Sequence, residues 1–183
     1  MQLLSKHKVF VSAHHGNDQA YQDYFAQLLG NQGDVAVSRS VQIGDVGPIA
    51  EIDPFYKTIR DSYLGDTNIT IVLIGADTWK RRHVDWEIGA SIRQTPFSTP
   101  SGLMGILLPT YKFPAPNQYD TYTIPPRLYA NLQCGFAKIH LWTDNADEIH
   151  GWLEEAFRQR LGADPDNSYP LFLEDRTEAT WQV

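Results

Sequence analysis

The fold is decided by two adjoining stretches, Ile69-Thr-Ile-Val-Leu-Ile-Gly75 and Asp77-Thr-Trp-Lys-Arg-Arg-His-Val-Asp-Trp-Glu87. The first is an apolar run rich in β-branched residues, which is typical of a parallel strand buried on both faces. In the second, Asp77 or Thr78 is suited to cap a helix, which we predict over about residues 78–93. Glu87 then lies in this helix near the carboxyl end of the strand, where open α/β sheets bind ligands.

Strands alternate with helices along almost the whole chain. Such alternation predicts an α/β fold in which five parallel strands form one sheet, with helices on both faces and right-handed crossovers. The predicted strands cover residues 8–13, 35–41, 69–74, 103–108 and 136–142.

Helix boundaries are predicted from capping residues and from glycine or proline near the ends. The polar stretch His14-His-Gly-Asn-Asp18 reads as a loop before the first helix, and the final helix is expected to end at Gly162. The expected first residues are Asn17 or Asp18 for the first helix, Asp53 with Pro54 for the second, and Asp144 or Asn145 for the last.

The chain is expected to form one domain. Residues 1–162 would make the α/β unit, interrupted by an irregular Pro- and Tyr-rich insertion at 109–135 with a short helix near 127–132. Residues 163–183 read as an extended tail that packs back on the same domain through its aromatic residues. With 183 residues, the chain is long enough for one well-packed core and short for two.

The amino-acid composition argues against several classes of partner and of binding site. The net charge of −7, from 15 basic and 22 acidic residues, argues against binding to nucleic acid or to an anionic membrane. Cys134 is the only cysteine, so an intramolecular disulfide or a cysteine-based zinc cluster is excluded. The histidines lack metal-ligand spacing, and no metal site is expected. Without a signal sequence or a membrane span, the expectation is a cytoplasmic protein.

Two surfaces of the Glu87 helix have competing interpretations. A helical wheel puts Val84 and Ile88 against the sheet and Glu87 on the shoulder of that stripe, at a cleft edge and not fully buried. A second apolar face carries Trp79 and Trp86. Either the insertion or tail covers this face, or it serves self-association or forms an aromatic wall for a ligand.

Three segments together resemble bacterial TIR domains, and most of all the TIR-like proteins of Thoeris antiphage systems. They are Val9-Phe-Val-Ser-Ala-His14, Ile71-Val-Leu-Ile-Gly75 and Thr78-Trp-Lys-Arg-Arg-His-Val-Asp-Trp-Glu-Ile88. The resemblance implies a flavodoxin-like fold with strand order 2-1-3-4-5. It also implies an enzyme that cleaves NAD⁺, as substrate and not as cofactor, at the nicotinamide–ribose bond.

The resemblance further implies an antiviral role. The product would be a nucleotide second messenger, either a cyclic ADP-ribose isomer or an ADP-ribose conjugate, that diffuses to a separate effector protein. The alternatives are a TIR scaffold without catalysis and a plain NAD⁺ hydrolase. A flavodoxin-like flavin or nucleotide binder is disfavoured, because no phosphate-binding glycine motif follows the first strand.

By the same resemblance, Glu87 corresponds to the catalytic glutamate, His14 to a pocket residue, and residues 42–48 to a mobile loop over the site. His83 stands where the family commonly has a tryptophan. The predicted substrate-binding residues are therefore His14, His15, Asp18, Asp45, Trp79 and His83.

Overall fold

A computed structural model describes residues 7–39 and 49–181. Its parallel sheet has five strands in the order β2-β1-β3-β4-β5, which confirms the predicted fold class and strand order. The strands are β1 (His7–Ser12), β2 (Val35–Arg39), β3 (Ile69–Ile74), β4 (Gly102–Leu107) and β5 (Ala137–Leu141).

Five α-helices lie in the described part of the chain. They are α1 (His15–Gly30), α2 (Ile52–Ile59), α3 (Arg82–Ile92), α4 (Pro126–Gln133) and α5 (Ala146–Gln159). None of these helices is both long and apolar enough to traverse a lipid bilayer.

The central strands are apolar because both faces of the sheet are covered. Every residue of β3 and β4 is buried, whereas the edge strand β5 is partly exposed. Successive residues of β3 point to opposite faces, so Ile71 packs with α1 and α5 while Val72 packs with α3 and α4. A third cluster, around Phe10 of β1, joins α2 to Trp86 of α3.

Three helix boundaries differ from the prediction. Helix α1 begins at His15, because the His14 ring accepts a hydrogen bond from the backbone N–H of Asn17 and so caps the helix itself. Helix α2 begins at Ile52 with Glu51 as its capping position, one residue before the expected Asp53-Pro54 opening. Helix α5 does begin after Asn145, but it ends at Gln159 and not at Gly162.

The helix predicted over residues 78–93 is two separate elements. A single 3₁₀ turn, Thr78–Lys80, closes the loop after β3, where the Thr78 hydroxyl accepts from the Gly75 N–H at 2.8 Å. Arg81 is extended, with φ −88° and ψ 120°, and α3 starts directly after it. The interruption lets the first turn of α3 be capped by a distant part of the chain, described below.

Residues 163–181 contain no helix or strand and lie against α3 and the segment before α4. The backbone oxygen of Phe172 accepts a hydrogen bond from Trp86 Nε1 at 2.7 Å, and Trp181 Nε1 donates to the oxygen of Ile124 at 2.6 Å. Phe172 and Trp181 are both buried.

A buried ion pair joins α3, α4 and this C-terminal segment. The Arg127 guanidinium donates to both carboxylate oxygens of Asp85, at 2.8 Å and 3.2 Å, and neither side chain is exposed by more than 3%. Arg127 also donates to Asn167, while the Phe172 N–H donates to Asp85. Every donor and acceptor added to this network reduces the cost of burying the two charges.

Removal of one partner of the Asp85–Arg127 pair should therefore lower the stability of the fold. We expect Arg127→Met to lower the free energy of unfolding by about 3–5 kcal/mol, since it leaves the Asp85 carboxylate buried without its counter-charge. Urea denaturation followed by circular dichroism measures the change. The matched control is Lys57→Met in the exposed pair Lys57–Asp61, which should cost less than about 0.5 kcal/mol. Equal losses in the two variants would contradict this account of the pair.

Candidate active site

Glu87 lies on the second turn of α3, beside the carboxyl end of β1. Its side chain is fully buried, and it accepts a hydrogen bond from the hydroxyl of Ser12, the last residue of β1. The expectation of a partly exposed carboxylate at a cleft edge is therefore wrong. The reason is that α3 has packing partners on several sides. Val84 and Ile88 pack on the sheet, while Trp86 packs on α2 and bonds to the C-terminal segment.

Three histidines lie above the same end of β1. His83, one turn before Glu87, donates from Nε2 to the backbone oxygen of Ala13 at 3.0 Å. The His15 ring stacks on the His83 ring, with centroids 5.3 Å apart and planes inclined by 21°. His14 is almost buried, because its ring folds over the first turn of α1. The structure thus brings His14, His15 and His83 together with Glu87.

The environment of two of these rings disfavours their protonation. Burial lowers the pKa of His14, and the nearby Arg81 lowers it further. Burial also lowers the pKa of His83, although the hydrogen bond to Ala13 acts the other way. The hydrogen bond from the Asn17 N–H to His14 Nδ1 also favours a neutral ring, because Nδ1 can accept only while it carries no proton.

Asp18, also predicted to bind substrate, lies close enough to His14 for its charge to raise the pKa of that ring. It is fully buried, and its Oδ1 accepts from the Thr110 hydroxyl at 2.7 Å. Gly75 makes room for it, because a Cβ at that position would lie 2.1 Å from Asp18 Oδ2. Burial raises the pKa of Asp18. Asp18 therefore links α1 to the loops that follow β3 and β4. Its side chain has no exposed surface for a ligand to contact.

Trp79 and Trp86 are also buried, with 1% and 3% of their surfaces exposed. Trp79 lines a cleft of about 310 Å³, together with Lys80, Tyr111 and Lys112. Trp86 packs edge-on against Phe55. Because the chain itself covers both indoles, the reason for expecting self-association through this face is removed. Asp45 and the rest of the predicted loop at 42–48 lie outside the described residues.

Ser12 was not among the predicted site residues. A polar residue at the end of the apolar run Val9-Phe-Val-Ser12, beside the predicted ligand edge, was a usable signal for it. In contrast, no local pattern indicates that Asp175 contacts α3 from 93 positions further along the chain. Within the described residues, no group of three or more His, Cys, Asp or Glu side chains is arranged to hold a metal ion.

These features define a class of protein. A five-stranded parallel sheet with order 2-1-3-4-5 and helices on both faces is consistent with the flavodoxin-like fold of a TIR-like domain. The family model described as Thoeris protein ThsB, TIR-like domain, matches residues 10–112, which include Ser12, His14, His83 and Glu87. The chain belongs to this family and is a TIR protein of antiphage defence. No curated protein matches it.

Because burial lowers the pKa of His14, the free energy of unfolding depends on pH. A folded-state pKa below the unfolded value of about 6.5 means that the unfolded chain binds more protons below that pH. The contribution of His14 is therefore complete above about pH 6.5 and is lost as the pH falls. We expect His14→Asn, which keeps a capping side chain, to flatten the dependence of the free energy of unfolding between about pH 7.5 and 5.

Urea denaturation across this pH range measures the slope. The control is His14→Ala, which should flatten the slope equally but also lose about 1 kcal/mol at pH 7.5, because the cap of α1 is removed. A wild-type slope in His14→Asn would show that His14 does not titrate between the folded and unfolded states as described.

Proposed function

We propose that the protein cleaves NAD⁺ and converts it to a nucleotide signal of antiphage defence. The observation that carries the proposal is the buried Glu87 carboxylate, hydrogen-bonded to Ser12 at the carboxyl end of β1 in a TIR-like domain. A buried carboxylate on a ligand-binding sheet edge is a common form of catalytic group.

Cleavage of the nicotinamide–ribose bond requires a negatively charged group beside the ribose and does not require a proton donor. When the bond between the nicotinamide nitrogen and ribose C1′ breaks, its electron pair leaves with a neutral nicotinamide, so that no general acid is required. Positive charge then develops on the ribose, as in glycoside cleavage. A carboxylate next to the ribose stabilises this charge and holds the ribose hydroxyls.

In this proposal the Ser12 hydroxyl occupies the position of a ribose hydroxyl. Because Glu87 is fully buried, substrate has to displace neighbouring groups before its ribose reaches the carboxylate. Ser12 offers Glu87 an O–H of the same kind as the sugar does. Exchange of one hydroxyl for the other keeps the carboxylate hydrogen-bonded throughout, which avoids the cost of an unpaired buried charge.

His14, His15 and His83 would form the wall on which the substrate rests. The nicotinamide ring of NAD⁺ is cationic, so imidazolium groups beside it would repel the substrate. Burial keeps the pKa of His14 and of His83 below the usual value, which favours neutral rings at neutral pH. Trp79 would contribute to substrate binding only as part of the lining of the neighbouring cleft, since its ring is buried. Asp45 is proposed on the sequence resemblance alone.

A non-catalytic TIR scaffold is the second candidate. His83 favours it, since the family commonly has a tryptophan at this position, and a buried carboxylate such as Glu87 can also serve structure alone. The two functions differ in what Glu87 does, and one substitution separates them.

We expect Glu87→Gln to lower the rate of nicotinamide release by at least ~100-fold, the usual effect of removing one electrostatic stabiliser of a transition state. Glutamine keeps the size of the side chain, and its oxygen can still accept from Ser12. Chromatography of nicotinamide after incubation with NAD⁺ measures the rate, and a thermal melt checks folding. The control is Glu148→Gln, an exposed glutamate in the first turn of α5. Near-normal cleavage by a folded Glu87→Gln protein would remove Glu87 from catalysis.

The product distinguishes a signalling enzyme from a plain hydrolase. A hydrolase adds water to ribose C1′ and releases ADP-ribose and a proton, whereas a synthase keeps water away until another nucleophile attacks. We expect mass spectrometry to find a cyclic ADP-ribose isomer or an ADP-ribose conjugate, with cell extract supplied as a source of acceptors and of the trigger. Nicotinamide with only linear ADP-ribose would leave plain NAD⁺ hydrolysis as the activity, and the separate effector protein would lose its ligand.

A further inference from the structure

We propose that residues 166–176, called here the C-terminal strap, position Glu87 by holding α3, and that Asp175 is a positioning residue. The catalytic part of this inference rests on the proposed function, whereas the mechanical part does not. The strap crosses the side of α3 that faces away from the sheet and contacts each of its turns.

At its start, α3 has no capping side chain of its own. Its capping position is Arg81, and the backbone N–H of Arg82 donates instead to Asp175 Oδ1 at 2.9 Å. Arg81 pairs with the other oxygen of the same carboxylate, also at 2.9 Å. The next strap residue, Arg176, donates its N–H to the oxygen of Lys80 at 2.8 Å. An anion at the amino end of a helix is stabilised by the helix dipole and by unpaired N–H groups.

The ionisation of Asp175 fits this role. Its pKa is lowered although partial burial acts to raise it, because the Arg82 N–H and the Arg81 guanidinium hold the charged form. The strap therefore supplies α3 with a charged cap under neutral conditions.

The middle of α3 is held on both sides of Glu87. Phe172 donates its N–H to Asp85 at 3.0 Å and accepts from Trp86 at 2.7 Å. Further along, the Asn167 side chain donates to the oxygen of Gly89 at 3.0 Å. Asp85 and Asn167 are in turn both bonded to Arg127.

These contacts fix the rotation of α3 about its axis. The strap holds residues 82, 85, 86 and 89, and the sheet holds Val84, Ile88 and Ile92 on the other side. Glu87 lies between the two faces. A helix of 11 residues has little stability of its own, so its position is set by what packs on it. Release of the strap would leave α3 held by the sheet and by the packing of Trp86 and Ala90 on α2, without its cap and without the contacts to Asp85 and Gly89.

The strap lies outside the family-matched segment, residues 10–112. It contains no helix or strand, so single hydrogen bonds and the burial of Phe172 hold it in place. Loss of one strong contact is therefore expected to loosen the strap locally and not to unfold the sheet.

The test compares Asp175→Ala with Asp175→Asn. Alanine removes the acceptor for the Arg82 N–H, whereas asparagine restores it, since both Asp and Asn cap helices well. The control is Glu174→Ala, at an exposed neighbouring position. Two readouts are needed, namely amide hydrogen exchange of residues 82–92 and the separate kcat and KM for NAD⁺ cleavage. A positioning role predicts faster exchange and a kcat lower by about 10- to 100-fold in Asp175→Ala, with KM little changed. Asp175→Asn should recover most of both.

Two results would overturn the proposal. Unchanged exchange over residues 82–92 in Asp175→Ala would show that the strap does not hold α3. Faster exchange with an unchanged kcat would show that it holds the helix without positioning Glu87. If the wild-type protein releases no nicotinamide at all, the proposed function fails, and the exchange measurement alone decides whether the strap holds α3.

Discussion

The buried pair between Asp85 and Arg127 determines how the second half of the chain is arranged. Asp85 is only two positions from Glu87, so the helix that carries the candidate catalytic carboxylate also carries a second buried charge. That charge has to be matched, and Arg127 of α4 matches it with two hydrogen bonds. With α4 fixed in this way, Arg127 still has donors and Asp85 still has an acceptor for further hydrogen bonds. The C-terminal strap satisfies them through Asn167 and Phe172.

Much of the fold could be predicted because its signals are local. The β-branched run of β3 and the cap of α5 at Asn145 each lie within a few residues of the element they define. The break before α3 could not be predicted in the same way. Nothing near Arg81 requires an extended residue there, and the group that caps the next turn is Asp175, far along the chain. Local propensity yields to such distant contacts.

In the candidate site, too, some features follow from local sequence and others depend on distant contacts. Glu87, His14 and His83 were predicted to share one sheet edge, which follows from strand order and helix periodicity alone. The burial of Glu87 and of Asp18 was missed, because burial depends on what packs from elsewhere. The side chain of Glu87 contacts Ser12 of β1, 75 positions earlier in the chain. Asp18 lies against Gly75 and Thr110, which follow two other strands. A helical wheel describes one helix and says nothing of these neighbours.

The strap has a consequence for the order in which the parts of the newly made chain reach their final positions. Chains are synthesised from the amino end, and their early parts start to fold before the late parts exist. Every strand of the sheet precedes residue 142, whereas the contacts that finish α3 come from residues 167–176. During translation the sheet can therefore assemble while α3 still lacks its cap and its contacts with the strap. A chain that stops before Phe172 would carry Glu87 on a helix that is packed on the sheet and α2 but is not yet held by the strap.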